Sequence, residues 1–437
     1  MAKENVVIIG AGAAGLMAAL TLSRDGYKVT VIEAENRVGG RIFTLHNDSF
    51  KMPIELGAEF IHGDLPVTIN LLEEAGIPYE ETGGSFWNAQ RGQLKQGFAS
   101  IPDMKLLEEK LKALQEDMSI DNFLERHFSE DKYTMLSSFV RSFSQGYDAA
   151  DTSRASTFSF RSEWLKDDEE SQYRIQDGYG KLIDYLAKKC KDIGCNIVLS
   201  KAVTEIKWSK NSVEVITEDE NSYNAEKVIV TIPVGLLQAP AGTEGALTFT
   251  PPIPEKMKAI EAIGFGAVIK LVLQFKTSFW KEQKMVDRFG ENIKYLGFLV
   301  SDSPIPTWWT QMPDDVPVLT GWLGGPKAKE LNSYYDEDIL HLAFNSLGHI
   351  FGIKVETLKE ELEASYIINW ANEPFSLGGY SYATVEGVKY QKNINAPIEN
   401  TIFFAGEGFH TDAEIGTVEA ALASGLNTAK EILSSHN

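Results

Sequence analysis

The stretch Val6-Val7-Ile8-Ile9-Gly10-Ala11-Gly12-Ala13-Ala14-Gly15, continued by Val29-Thr30-Val31-Ile32-Glu33, decides the fold. Its four apolar, mostly β-branched leading residues read as a buried strand. Glycines at 10, 12 and 15 follow in G-x-G-x-x-G spacing. Gly10 permits the tight turn out of the strand, and Gly12 lets the backbone approach a pyrophosphate with no Cβ in the way. Gly15 lets the following helix pack closely on the sheet. Small and apolar residues from Ala14 to Leu22 continue as that helix, and Gly26 suits its stop. A second strand ends at Glu33, whose carboxylate is placed for a ribose diol and repels a 2′-phosphate. A diphosphate would rest on the free N–H groups and positive pole of the helix N-terminus. Strand, glycines, helix, strand and acid in this register predict a dinucleotide site. The element alone leaves NAD and FAD both open.

At 437 residues the chain exceeds one average domain and suggests two, interleaved. Hydrophobic residues make up 43% and charged residues 24%, which allows a sizeable core. The net charge of −21 argues against a nucleic-acid partner, which needs positive charge against phosphates. It is compatible with cationic substrates, although solubility alone accounts for it. Cys190 and Cys195 give neither a metal-site pattern nor a disulfide framework, which fits a reducing compartment. Met1-Ala2-Lys3-Glu4-Asn5 runs directly into the first strand with no room for a signal peptide, and no stretch approaches the ~20 uninterrupted apolar residues of a membrane span. The expectation is a soluble, cytoplasmic protein without membrane attachment or metal.

Further along, Arg37-Val38-Gly39-Gly40-Arg41 places two arginines around a Gly-Gly turn, which would offer N–H groups and charge to a second face of a diphosphate. Ile54 to Gly63 reads as a strand entering a polar, glycine-flanked segment. Its His62, taken alone, is a packed or solvated histidine. Leu106, Leu107, Leu111, Leu114 and Met118 recur at helical spacing and predict one helix from about Asp103 to Phe128. The acidic run Asp167-Asp168-Glu169-Glu170 reads as a solvated loop or helix end. Strands return between Ile197 and Thr231, where the nucleotide-binding part resumes, and Pro251 to Pro254 reads as a linker. Gly264 to Phe275 reads as one strand. Lys270 in its middle is costly to bury unless it snorkels, pairs or loses its proton, so by itself it suggests an edge strand. Trp280, Trp308, Trp309 and Trp322 read as core first and cavity lining second. At the C-terminal end, a short strand through Ala405 leads to Gly406-Glu407-Gly408, and Gly416-Thr417 opens a helix from about Val418 to Leu433. That second helix start could serve an isoalloxazine, which gathers negative charge when reduced.

These blocks together resemble one family over nearly the whole chain, the flavin-dependent amine oxidases: monoamine oxidases, polyamine oxidases and flavin histone-lysine demethylases. The fingerprint with Glu33, the Arg37 to Arg41 turn and Glu55-Leu56-Gly57-Ala58 carry it first. Lys270 in its Gly-Phe-Gly strand, Trp370 before Glu373-Pro374, and Ala405-Gly406-Glu407 with Gly416-Thr417 complete it. The fingerprint and arginine turn also occur in desaturases and porphyrinogen oxidases, whereas Lys270 and Trp370 favour amine oxidases. The resemblance implies an α/β fold in which a Rossmann-like FAD domain is assembled from residues 1–78, 176–252 and 373–437. An inserted α+β substrate domain would take 79–175 and 253–372.

The resemblance also implies site residues. Gly10, Gly12, Ala13, Ala14, Gly15, Glu33, Ala34, Arg37, Gly39, Gly40 and Arg41 would bind FAD, as would Leu56, Gly57, Ala58, Glu59 and Val203. Trp370, Tyr380, Gly406, Glu407, Gly416, Thr417 and Val418 would close the cofactor site. Lys270 matches the lysine that holds a water against flavin N5, and this replaces its bland reading. Monoamine oxidases of mitochondria carry a flavin-linked cysteine in a Gly-Gly-Cys-Tyr block. Here Gly378-Gly379 precedes Tyr380-Ser381, so FAD is expected to be non-covalent. Those enzymes flank the amine with two rings. Here Thr417 matches the second, leaving Tyr380 as the single wall, closer to the demethylase pattern. Phe60-Ile61-His62-Gly63 resembles polyamine oxidases, where the histidine lies near the substrate amine. The substrate contacts implied are thus His62, Tyr380 and Thr417. The activity implied is oxidative deamination of a primary or secondary amine with oxygen as acceptor and hydrogen peroxide as product. The rivals are an L-amino-acid oxidase, a C–C desaturase or porphyrinogen oxidase, and a non-catalytic FAD-holding scaffold.

Overall fold

In the computed structural model, the described residues are 4–63, 65–90, 92–165, 171–410 and 415–435. The fingerprint strand, Asn5–Ile9, lies at the centre of a five-stranded parallel sheet. Lys28–Ile32 and Lys227–Val230 flank it, and Asn196–Val198 and Ile402–Phe404 form the edges. Three distant stretches of chain therefore build one sheet. Its strands are apolar on both sides because both faces are covered. Alternation decides which residue goes where. Val6 and Ile8 pack with Leu16, Leu20, Leu186 and Leu422 beneath three helices: Ala13–Arg24, Gly180–Asp192 and Val418–Ser434. Val7 and Ile9 pack on the other face with Ile206 and Val215, from the antiparallel strands Val203–Ser209 and Ser212–Thr217.

A seven-stranded mixed sheet forms the second layer. Its strands run in the order Leu362–Asn369, Val268–Phe275, Val318–Gly324, Thr307–Thr310, Leu296–Ser301, Ser85–Gln90, Gln93–Gln96. Helix Asp336–Phe351 packs into its outer core. The helices between residues 104 and 164 make a separate apolar cluster.

The structure corrects two expectations. The helix predicted from Asp103 to Phe128 is two helices, Met104–Ala113 and Ile120–Phe128. The residues between them are taken by other tasks. Asp117 accepts from the Ser156 hydroxyl (2.8 Å) and the Phe158 N–H (3.1 Å), and Ser119 caps the second helix by accepting from the Asn122 N–H (3.2 Å). Leu114 and Met118 stay buried, so the apolar spacing was real but spans a break. Likewise Gly264 to Phe275 is two strands in two sheets. Gly264–Gly266 pairs with Tyr380–Tyr382, and Val268–Phe275 enters the large sheet. Gly266 makes the turn possible, because a Cβ there would stand 2.3 Å from the Ala149 carbonyl. The expected linker ends where Pro254 opens helix Pro254–Glu261. The acidic run 167–170 lies outside the described residues. Among the described residues no helix is long and apolar enough to cross a membrane.

Two ionisable side chains, one buried and one partly buried, tie distant segments together. The Lys256 ammonium, on a residue 6% exposed, donates to the carbonyls of Asn393 (2.6 Å), Ile394 (2.9 Å) and Ala396 (2.6 Å), closing the end of helix Val385–Asn395. Lys256→Met leaves those carbonyls without their donor and should lower stability by about 1–3 kcal/mol in denaturant unfolding. Glu55 accepts from the Tyr179 N–H and the Thr44 hydroxyl, at the start of helix Gly180–Asp192. Burial pushes its carboxyl up to about 7, against the pull of the Tyr179 N–H and of Lys270. The folded state thus keeps a proton there that the unfolded chain releases near its ordinary value. This contribution is complete at low pH and is lost as pH rises through about 7. The wild type should lose about 3 kcal/mol over that range relative to Glu55→Gln, measured as unfolding free energy against pH.

Candidate active site

One cavity of about 1980 Å³ runs from the fingerprint turn, past the large sheet, to the helical cluster. Its inner end is built by the fingerprint. Gly10, Gly12, Ala13, Ala14, Glu33 and Ala34 line it, as do Gly39, Gly40, Arg41 and Val203. Helix Ala13–Arg24 has no side-chain cap at Gly12 and no acid in its first turn, so its opening N–H groups are left for an anion. Gly10 and Gly39 have φ of 105° and 111°, where glycine is favoured. Glu33 is pinned rather than mobile: Oε2 accepts the Ala11 N–H (2.6 Å) and Oε1 the Glu35 N–H (2.9 Å). Burial raises its carboxyl above the ordinary value even so. Uncapped N–H groups, a glycine cradle and a fixed carboxylate fit the diphosphate and ribose of a dinucleotide.

The other sequence-selected residues divide. Gly57, Ala58, Glu59, His62, Lys270 and Trp370 line the cavity, as do Tyr380, Gly406, Glu407, Gly416, Thr417 and Val418. Gly15 and Leu56 do not. Gly15 serves packing, since a Cβ there would stand 2.0 Å from the Gly10 carbonyl. Leu56 is buried in an apolar cluster, and its carbonyl accepts the Trp370 indole N–H (2.9 Å). Arg37 is not among the residues that line this cavity. Its guanidinium pairs with Glu35 (2.7 Å), donates to Gly40 O (2.9 Å) and sits 4.0 Å from the Phe43 ring centroid, lining a second, smaller cavity. Arg41 does face the main cavity, paired with Glu407 (2.7 Å) and donating to Gly379 O (2.7 Å). Thr417 caps the last helix by accepting from the Ala420 N–H (3.1 Å).

Lys270 is neither at an edge nor snorkelling. Its strand has a partner on each side, and the residue is 1% exposed. Its ammonium donates to Glu59 Oε2 (2.7 Å) and Gly57 O (3.1 Å) and lies 5.6 Å from the Trp309 ring centroid. An ammonium has three N–H donors, and among the described residues the third has no acceptor. The remaining Glu59 oxygen accepts from Arg174 Nε (3.0 Å) and Trp309 Nε1 (2.9 Å). Burial opposes charge on Glu59, but Lys270 and Arg174 hold its carboxyl below the ordinary value.

The aromatic walls are richer than the sequence suggested. Tyr380 stacks on Trp322 at 6.2 Å between centroids and 18° between planes, and its hydroxyl donates to Tyr147 O. Trp309 and Trp322 line the cavity, whereas Trp280 and Trp308 are core. His62 lines the cavity with Nδ1 buried and unpartnered among the described residues, and burial alone pushes its imidazole down to about 4. Sequence reasoning missed Arg174, Tyr147, Asp148 and Glu163. Arg174 alone left a trace, a cation placed between apolar strand residues Tyr173 and Ile175. Asp148 and Glu163 both line the cavity, and burial with the facing Glu163 carboxyl pushes Asp148 well above the carboxylate range.

Residues 13–433 match the family described as flavin containing amine oxidoreductase. Polyamine oxidase 4 of Oryza sativa subsp. japonica is 28% identical across 98% of this chain and 88% of its own length. The lysine-specific histone demethylase 1 homolog 3 of Arabidopsis thaliana is 28% identical across 99% of this chain, which spans 30% of that protein. Lysine-specific histone demethylase 2 of Homo sapiens is 28% identical across 98% of this chain, which spans 53% of it. Among solved structures, wild-type putrescine oxidase bound to putrescine aligns at a TM-score of 0.79 and 21% identity over 99% of both chains. Cyclohexylamine oxidase from Brevibacterium oxydans aligns at 0.78 and 18%, also over 99% of both. These two establish a shared fold. The family match runs from the fingerprint helix to the last helix and so takes in both ends of the cavity: the chain belongs to the flavin containing amine oxidoreductases, and the dinucleotide that its fingerprint fits is FAD.

Proposed function

We propose that this chain oxidises a primary or secondary amine to an imine, which water hydrolyses to the carbonyl compound, with oxygen reduced to hydrogen peroxide. The observation that carries the reading is the buried Lys270 ammonium on the wall of a cavity that begins at the dinucleotide turn. Bound FAD, without a covalent link, would supply the redox chemistry by taking a hydride equivalent from the amine carbon and passing the electrons to oxygen. The protein's part is binding, orientation and electrostatics. Ala13 and Ala14 would hold the diphosphate, Glu33 a ribose, Val203 the adenine side, and the start of helix Val418–Ser434 the ring. The open donor of Lys270 would hold a water, and its charge would favour the anionic products of oxygen reduction.

An amine that yields hydride needs a free lone pair, hence the neutral form. The aromatic walls of Tyr380, Trp322 and Trp309 disfavour an ammonium by desolvation. His62, with its imidazole held down to about 4, stays neutral at ordinary pH and adds no competing charge. The Asp148–Glu163 pair, which holds a shared proton and one negative charge, also lines the cavity and gives a second cation a place to bind, and that favours diamines and polyamines over simple arylalkylamines.

Anaerobic mixing with spermidine, putrescine, benzylamine and amino acids should bleach the flavin with at least one amine. Flavin that stays oxidised with all of them refutes the reading, and release of ammonia from a primary amine, or of a shorter amine from a secondary one, separates it from C–C desaturation. Lys270→Met should retain FAD while flavin reoxidation slows by about a hundredfold, read by stopped-flow absorbance. The double variant Asp148→Asn with Glu163→Gln, which removes the one negative charge of the pair, should raise KM for putrescine by about tenfold and leave KM for benzylamine unchanged in steady-state assays.

A further inference from the structure

We infer that Glu59 is a positioning residue for the oxygen-reducing half of the reaction: clamped by Arg174 and Trp309, it fixes where the Lys270 ammonium stands, and its sharing with Arg174 leaves the cluster cationic. The inference rests on the amine-oxidising reading of the cavity.

The two carboxylate oxygens have separate tasks. Oε1 is taken up by Arg174 Nε and Trp309 Nε1, and Oε2 is left for Lys270. Arg174 is itself immobilised. It donates to Met312 O (2.8 Å) and Thr310 O (3.0 Å), and its guanidinium lies 4.7 Å from the Phe60 ring centroid. The anchor therefore cannot follow the lysine, and the lysine must follow the anchor. A lysine stem has four rotatable bonds, and an ammonium on an otherwise apolar strand has few places to go. Without Oε2, only Gly57 O would hold it among the described residues.

The charge at the wall comes from Lys270 and Arg174, and what Glu59 adds is placement, so its loss slows oxygen reduction through position even though the cluster gains charge. Two cations share one anion here, so pairing does not cancel the field at the cavity wall. A buried Lys–Glu pair alone would be neutral overall, whereas Arg174 restores one net positive charge. Oxygen reduction creates negative charge, and a fixed cation in a water-poor site stabilises it without reorganisation. Hydride transfer from a neutral amine creates a cation and an anionic reduced ring side by side, so the field of this cluster on one is largely offset by its field on the other. The effect of Glu59 should therefore fall on one half-reaction.

The test is Glu59→Gln, with the flavin followed in each half-reaction separately. Anaerobic reduction by amine should stay within about twofold of wild type, while reoxidation by oxygen slows by about tenfold. In a Lys270→Met background, Glu59→Gln should add nothing to the reoxidation defect. Melting temperatures of the flavin-free proteins should be partly non-additive, because both variants break the Lys270–Glu59 pair and only Glu59→Gln also breaks the pair with Arg174. Equal slowing of both half-reactions, or a further full loss in the Lys270→Met background, overturns the inference. Should Glu59→Gln fail to fold, Arg174→Lys removes the Nε donor to Glu59 and keeps the positive charge. It should slow reoxidation by about threefold with reduction unchanged, and an unaltered reoxidation rate overturns the inference. If no amine reduces the wild-type flavin, the parent reading has failed. If amines reduce it and Glu59→Gln reoxidises normally, the inference alone has failed.

Discussion

The structure depends on the absence of side chains at two points of contact. A Cβ on Gly15 would stand 2.0 Å from the Gly10 carbonyl, and one on Gly425 would stand 2.2 Å from the Ala14 carbonyl. The fingerprint helix is therefore pressed against its own entry turn on one side and against the last helix on the other. That closeness sets the height of the helix start above the sheet, and so the floor of the cavity. It also brings Thr417 and Val418, from the far end of the chain, to the same cavity as Gly12. A methyl group at either glycine would displace the floor itself, a backbone effect that no repacking of side chains relieves.

Above that floor the cavity is organised by charge pairing rather than by the surplus of acid in the composition. The net charge of −21 says little about the interior. There, Arg41 is matched to Glu407, and Glu59 is shared between Lys270 and Arg174. Asp148 and Glu163 face one another, and burial raises the Asp148 carboxyl. Each arrangement leaves a different residual charge: near neutral beside the arginine turn, positive at Lys270, and proton-sharing at the outer carboxyls.

Legibility in the sequence followed locality. The strand, glycine turn, helix and Glu33 were readable because their spacing is a local consequence of one βαβ unit. The break between Met104–Ala113 and Ile120–Phe128 was not, because apolar spacing continues through it and the competing bonds of Asp117 reach a segment 39 to 41 residues later. Arg37 and Arg41 look equivalent around their Gly-Gly turn. Only the folded chain shows that Glu35 and Phe43 claim one while Glu407 holds the other towards the cavity. Lys270 looked like an edge residue because nothing near it in sequence could neutralise it. Its partner Glu59 lies 211 residues away. The resemblance supplied that position where periodicity could not, yet it gave no hint of Arg174.

The five-stranded sheet also imposes an order on biosynthesis. Its central strand is made first, but the edge strand Ile402–Phe404 and the helix that begins at Val418 are made long after Lys270 has left the ribosome. A nascent chain complete through Asn395 holds the glycine turn and Glu33 and still lacks one wall of the cradle. Such a chain exposes the apolar flank of Lys227–Val230 until Ile402–Phe404 is made and pairs with it.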